Sequence, residues 1–330
     1  MSTTQSVDDP ESFEHRFTTT NRIRLHYVEQ GKGPLVLLIH GFPYIWYEWR
    51  HQIRTLADAG YRAVAPDLRG YGQSDAPTDV AQYDNFQVVG DLVALIHGLG
   101  EYSAVIVGHD IGSKIAYNAV ELRPDLFGGL VLVNGAGGPR AAISPSVLFA
   151  QMQAASGRRF YIDHFQEPGI ADAELNADIY KSLRSALYTV SGSVSEDKRW
   201  PASVGNGETI LDTLVNPKEL PAWLSDQALD YYVAEYKRHG FTPPLNYYRN
   251  IARSWEMTVF LNDLKPALPS FYIGGDVDPS NSFNKPAFDV LENSLPNLRG
   301  KVVLEGVGHD SAEEKPDVFN KHLLEFLASL

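Results

Sequence analysis

The sequence predicts an α/β fold built on a mainly parallel sheet with a helical insertion. Three observations carry this. Short apolar runs recur along the chain, each ending in a turn rich in Gly, Asp or Asn. Stretches with helical periodicity lie between most of them. The alternation then stops over residues 137–264, where aromatic residues and Pro/Gly connectors take over. Strand–helix alternation of this kind stacks helices on a sheet whose strands run the same way.

The elements follow in order. Residues 1–12 start polar and acidic and read as a solvated tail. Ile23, Leu25 and Tyr27 alternate with polar residues, the period of a half-buried strand. After the turn Gln30-Gly31-Lys32-Gly33-Pro34, the run Leu35–Ile39 is continuously apolar, as a strand covered on both faces must be. Similar runs follow. Residues 63–65 lead into Pro66-Asp67, 104–107 into Gly108-His109-Asp110, and 130–133 into Asn134-Gly135. Residues 271–273 lead into Gly274-Gly275-Asp276, and 301–304 into Glu305-Gly306. Helical periodicity marks 86–99 (Val89, Leu92, Val93, Ile96), 113–122, and 318–327 (Phe319, Leu323, Leu324, Phe326, Leu327). The 137–264 stretch holds Tyr161, Tyr180, Tyr188, Trp200, Tyr247 and Tyr248 among other aromatics. It reads as helices joined by Glu167-Pro168-Gly169, Asn216-Pro217 and Thr242-Pro243-Pro244. No internal repeat is visible. The expected organisation is a tail over 1–12, a core of 13–136 and 265–330, and a helical cap over 137–264.

Composition narrows the function. The 330 residues carry a net charge of −13. That acidity argues against nucleic-acid and anionic-membrane partners, which would repel the chain at long range. No apolar run reaches the ~18 residues of a membrane span, and no secretion signal is read at the start, so a cytoplasmic location is expected. The absence of cysteine excludes disulfides, thiolate metal sites and a cysteine nucleophile. No His/Asp/Glu cluster has metal-ligand spacing, no complete G-x-G-x-x-G follows the first strand, and no cofactor is expected. A homodimer is left open.

The chemistry sits in the turns. Gly108-His109-Asp110-Ile111-Gly112 joins a buried strand to a helix, the geometry of the G-x-S-x-G nucleophile elbow with aspartate in the serine position. Small flanking residues let the central residue take a strained conformation. An Asp there faces free N–H groups that favour its charged form, a competent carbon nucleophile. The competing reading is an Asp that merely caps the helix. His40-Gly41-Phe42-Pro43 follows the first buried strand, where a loop can supply an oxyanion-hole N–H. The donors would be Phe42 and Ile111, and a cis peptide before Pro43 suits so tight a loop. His40 and His109 read as structural. An ester on Asp110 must be hydrolysed by activated water, which calls for a histidine base. His309, in Gly306-Val307-Gly308-His309 past the last short strand, is the candidate. Asp278 is the acid that would orient it, with Asp276 as competitor. The order Asp110, Asp278, His309 is the nucleophile–acid–histidine order of hydrolases with an elbow.

Taken together, these motifs resemble the α/β-hydrolase superfamily and, within it, the epoxide hydrolase family. The resemblance covers the chain from about residue 12. It also rests on Phe165-Gln166-Glu167-Pro168-Gly169 and Asn246-Tyr247-Tyr248-Arg249-Asn250. It implies an α/β-hydrolase fold: a mainly parallel eight-stranded sheet flanked by helices, with the insertion as a cap or lid. It implies two cap tyrosines that hold the epoxide oxygen, falling on Tyr161 and Tyr248. Two O–H donors there stabilise the charge that ring opening places on oxygen. Tyr247 competes with Tyr248, since neighbours on a helix point about 100° apart and only one can face the site. Tyr180, Tyr188 and the Trp46-Tyr47-Glu48-Trp49 run are expected to line or pack the pocket, with Trp46 and Tyr188 as substrate contacts. The substrate expected is an apolar or aromatic epoxide, with water as the second reactant.

Three other readings compete. A haloalkane dehalogenase places a halide-binding Trp directly after the nucleophile, where this chain has Ile111. A fluoroacetate dehalogenase expects arginines there, where only Lys114 offers a cation. A catalytically idle receptor of the same fold would usually have lost a triad member, and none is missing here.

Overall fold

The structure is a computed structural model and describes residues 6–135 and 137–330. The core strands are β1 (Glu14–Thr20), β2 (Ile23–Gln30), β3 (Leu35–Ile39), β4 (Arg62–Pro66), β5 (Ala104–His109), β6 (Phe127–Val133), β7 (Ser270–Gly275) and β8 (Leu298–Leu304). They form one eight-stranded sheet in the order β1-β2-β4-β3-β5-β6-β7-β8. The β1/β2 and β2/β4 pairs are antiparallel and every other pair is parallel. Every residue of β3 and β7 is buried, as strands covered on both faces require. Sequence periodicity misses β1. Its pattern of mostly exposed residues is that of an edge strand with little apolar surface to signal it.

Helices α1 (Arg50–Asp58), α2 (Asn85–Gly98) and α3 (Ile111–Leu122) follow β3, β4 and β5. Asp84 caps α2 by accepting from the N–H groups of Phe86 and Gln87. The chain leaves β3 toward β4 on one side and returns to β5 on the other. The strand C-termini therefore part at β3 and β5 and open a crevice there, the place where α/β sheets build sites. The turns after β3, β5, β6 and β7 face this crevice.

Between β6 and β7 the chain leaves the sheet for a helical cap. Its helices are α4 (Pro145–Ser156), α5 (Ile170–Asn176), α6 (Ile179–Val190), α7 (Asp226–His239), α8 (Thr242–Arg249) and α9 (Ile251–Met257). A two-residue antiparallel ladder, Arg159–Phe160 with Ser203–Val204, sets the entry to the short helix Tyr161–His164. The Thr242-Pro243-Pro244 connector of the sequence reading is instead the first turn of α8. Proline suits that turn because its missing N–H has no intrahelical partner to lose. After the cap come β7, α10 (Asn281–Asp289), β8 and α11 (Pro316–Leu327).

The expected solvated tail is tied down over residues 6–12. The Tyr47 hydroxyl donates to the Asp8 carbonyl at 2.7 Å, and Arg50 Nε donates to the Asp8 carboxylate at 3.0 Å. Residues 1–5 of that tail lie outside the described residues. No described helix is long and apolar enough to cross a membrane.

Candidate active site

Asp110 joins β5 to α3 at φ +52°, a conformation that costs a non-glycine residue on the order of 1–3 kcal/mol. Its surroundings enforce it. Its N–H donates to the Val133 carbonyl at 3.1 Å, and its own carbonyl accepts from the Ser113 N–H at 3.0 Å. The two elbow glycines are obligatory. A Cβ on Gly108 would lie 2.2 Å from the Gly112 carbonyl oxygen, and one on Gly112 would lie 2.5 Å from that of Ile39. The Asp110 carboxylate does not cap α3 in the usual way. One oxygen accepts from the Phe42 N–H at 3.1 Å, and the Ile111 N–H also supports the charge. The Phe42–Pro43 peptide is cis.

His309 faces the other carboxylate oxygen, with Nε2 3.4 Å from Asp110 Oδ1. Its Nδ1–H donates to Asp278 Oδ2 at 2.9 Å. Asp278 also accepts from Asn134 Nδ2 at 2.9 Å and from the Ser280 N–H at 2.8 Å. Burial alone would raise the pKa of both carboxyls. The hydrogen bond and charge of His309 outweigh it, so both lie below the ordinary carboxylate value. Burial likewise opposes a charged His309, but Asp278 and Asp110 together hold its pKa well above the ordinary histidine value. Asp276, the competitor, is exposed and accepts from the Gly306 N–H at 2.8 Å, so it shapes the turn.

Tyr161 and Tyr248 face this trio from the cap, their ring centroids 6.4 Å apart. Among the described residues neither hydroxyl has a hydrogen-bond partner. The Tyr247 hydroxyl, by contrast, is spent on the Arg69 carbonyl at 2.8 Å. Burial first, and then the Asp110 charge, push both cap tyrosines well above the ordinary value, so they stay protonated. The four side chains and Asp278 share one cavity, whose remaining wall is mostly apolar: Phe42, Phe165, Leu175, Trp200, Phe241 and Phe283 are part of it.

Two expected substrate contacts are not there. Trp46 is fully buried and does not line the cavity; it lies edge-on to Phe13 and His15, with its indole N–H donating to the Tyr231 hydroxyl at 3.0 Å. Tyr188 lies on α6 one position off the facing side. Its neighbours Ala186 and Val190 line the cavity while its hydroxyl donates to the Ser193 carbonyl at 3.3 Å. Tyr180 is likewise 41% exposed and away from the cavity. A single strand or helix signal cannot say which face of an aromatic run meets the ligand.

His40 and His109 take supporting places. His40 donates from Nδ1 to the Gly41 carbonyl at 2.9 Å and accepts the Leu68 N–H at 3.0 Å, bracing the Phe42 loop. His109 Nε2 lies 2.8 Å from the His309 carbonyl, which can only accept, so that nitrogen carries a proton. Burial lowers the His109 pKa to about 4, leaving Nδ1 bare to accept from Glu48 at 3.0 Å. Burial accordingly keeps the Glu48 carboxyl protonated, well above the usual range. Sequence reasoning missed Glu48 and Asn134. Asn134, at φ +49°, also donates to the Gly308 carbonyl at 3.0 Å and accepts from the Ser311 hydroxyl. Its place at the C-terminal end of a buried strand was the available signal.

A strained aspartate on a strand–helix elbow, facing a histidine paired with a second aspartate, defines a hydrolase of the elbow type. The family model for the alpha/beta hydrolase fold accordingly matches residues 34–316. Among known proteins, epoxide hydrolase A of Mycobacterium tuberculosis is 40% identical over 320 residues, covering 96% of this chain and 97% of its own length. Epoxide hydrolase 1 of Siraitia grosvenorii is 37% identical over 322 residues, covering 96% and 99%. The solved structure of an epoxide hydrolase from an endophytic Streptomyces superposes with a TM-score of 0.92 at 40% identity, covering 96% of this chain and 95% of that one. The chain belongs to the epoxide hydrolase family of the α/β-hydrolase fold.

Proposed function

We propose that this enzyme, an epoxide hydrolase, converts an apolar or aromatic epoxide to a vicinal diol through an ester on Asp110. An Asp110 oxygen attacks one ring carbon and the C–O bond on that carbon breaks. Tyr161 and Tyr248 donate hydrogen bonds to the departing oxygen, which takes its proton from one of these hydroxyls and becomes the first hydroxyl. The tyrosinate left behind is reprotonated by the proton that His309 gives up in the next step. Ester formation removes the Asp110 negative charge. His309 then loses both its hydrogen bond to that carboxylate and the Coulomb attraction, its pKa falls, and it can release its proton. As a neutral base it takes a proton from water, whose oxygen attacks the ester carbonyl. Asp278 stabilises the imidazolium that forms. The Phe42 and Ile111 N–H groups stabilise the tetrahedral oxyanion. Collapse releases the diol and restores the carboxylate.

The observation that carries this reading is the line Phe42 N–H, Asp110, His309, Asp278, closed on the opposite side by two tyrosine hydroxyls with no partner among the described residues, in an apolar cavity. The dehalogenase alternatives lack their anion donors. Trp200, the one tryptophan of the lining, has its N–H on Thr213 Oγ1 at 3.1 Å. Lys114 donates to the Gly138 carbonyl at 2.6 Å, outside the cavity. The test is His309→Gln, incubated with epoxides and alkyl halides and weighed intact. An adduct of the full epoxide mass on the Asp110 peptide is expected. No adduct from any epoxide, or adducts from halides alone, would overturn the proposal.

A further inference from the structure

Glu314 ends the short helix Ser311–Glu314 that follows the His309 turn. Its Oε1 accepts the N–H of Gly308 at 3.0 Å and that of Asp310 at 3.3 Å, the residues on either side of His309. Its Oε2 accepts the N–H of Gly192 at 2.9 Å, in the turn that leaves cap helix α6. The two segments meet again where the His309 N–H donates to the Val190 carbonyl at 2.9 Å. Their approach leaves no room for side chains. A Cβ on Gly308 would sit 2.4 Å from the Ser191 carbonyl carbon, and one on Gly192 2.2 Å from the Gly306 oxygen. Val190 itself lines the cavity.

We propose that Glu314 is a positioning residue whose carboxylate fixes the backbone on both sides of His309 and ties it to the cap. The imidazole then keeps its reach to the Asp110 ester only while α6 is seated on the His309 turn. The chemistry demands a carboxylate. Burial raises the Glu314 pKa above its ordinary value, but the three N–H donors that converge on it favour the charged form, and an ionised carboxylate accepts through both oxygens. Such charge-assisted bonds are about twice as strong as neutral ones. A glutamine would turn an NH2 group toward one set of donors and lose that side of the clamp. The neighbouring Asp310 can keep its proton, because burial and the Glu314 charge push its pKa well above the usual range. This inference rests on His309 being the base of the second step.

The test separates the two half-reactions in the full-length enzyme by rapid quench and intact-protein mass. Glu314→Gln should form the ester within about twofold of the wild-type rate and hydrolyse it about 10- to 100-fold more slowly, the loss a misplaced catalytic group brings. The ester should then accumulate at steady state. Hydrolysis at the wild-type rate, or equal slowing of both steps, overturns the proposal. Hydrogen exchange of the wild-type protein tests it without any variant. Segments 190–193 and 306–311 should open as one unit, and independent opening overturns it. His309→Gln is the control: if that variant turns over freely, the base assignment has failed, not the clamp.

Discussion

Replacing the two cap tyrosines by phenylalanine isolates ring opening. Each substitution removes one oxygen and leaves the ring, so packing survives. Tyr161 keeps its contacts with Trp200 and Phe165, at 4.8 and 5.5 Å between centroids, and Tyr248 keeps Phe42 at 5.5 Å. Neither hydroxyl has a partner among the described residues, so no buried acceptor there is orphaned, and stability should change by less than about 1 kcal/mol. The kinetic effect is large because the epoxide oxygen becomes an alkoxide in a cavity with mostly apolar walls, where little else can donate to it. Losing one preorganised donor to such an oxygen costs about 10²–10³-fold, or about 2.7–4 kcal/mol. Each single variant should slow ester formation by about that factor, and the double variant by about 10⁴-fold or more. Single-turnover quench with mass detection of the Asp110 ester reads this step directly. Hydrolysis of an ester already formed should be little affected, since His309 and Asp278 are untouched. A double variant that forms the ester at the wild-type rate would show that the tyrosines are ordinary packing aromatics.

Two further outcomes follow from the hydrogen-bond network. Asn134→Ala strips a donor from both Asp278 and the Gly308 carbonyl. Leaving buried acceptors unsatisfied costs about 1–3 kcal/mol each. Thermal or urea unfolding should register that loss, and ester hydrolysis should slow more than ester formation. Asp278 predicts a pH signature. Its folded pKa lies below the ordinary 3.8, so pairing with His309 stabilises the fold above that pH. The contribution disappears as pH falls through the lowered folded value. His309, raised above 6.5, contributes below that pH, and its contribution fades as pH rises through its own raised value. The stability gap between wild type and Asp278→Asn should therefore be widest in between and close toward acid. A gap that is constant with pH would contradict the pairing.

The candidate nucleophile, acid and base are legible because each sits in a turn whose backbone needs show in the sequence. Gly108 and Gly112 are dictated by clashes of 2.2 and 2.5 Å, so the elbow announces itself in residue types alone. Tyr161 and Tyr248 were not legible that way and came from family resemblance. Nothing local distinguishes Tyr248, whose hydroxyl has no partner among the described residues, from Tyr247, whose hydroxyl is bound to the Arg69 carbonyl. The failure at Trp46 has the same root. An aromatic run after an active-site loop is compatible with a pocket wall or with packed interior outside the pocket. The choice was made by Phe13 and His15, which the tail and β1 bring from far away in sequence. Asn134, Glu48 and Glu314 escaped notice for a related reason. Each acts through bonds to residues remote in sequence, 144 positions apart for Asn134 and Asp278 and 122 for Glu314 and Gly192.

These remote contacts share a target. The His309 carbonyl accepts from His109, its N–H donates to the cap, and its two neighbours donate to Glu314. Backbone restraint of this kind has a chemical purpose. In the proposed mechanism Asp110 gives up its contact with His309 on becoming an ester, so the imidazole loses one of its two anionic anchors in the middle of the cycle. A side chain held only by its charge partners would drift when one partner is neutralised. Held by its main chain and by Asp278, His309 would on this mechanism lose a proton and the attraction of Asp110 without losing its place. The same event that changes its pKa then leaves its geometry fixed, which is what a group serving as imidazolium in one step and as base in the next requires.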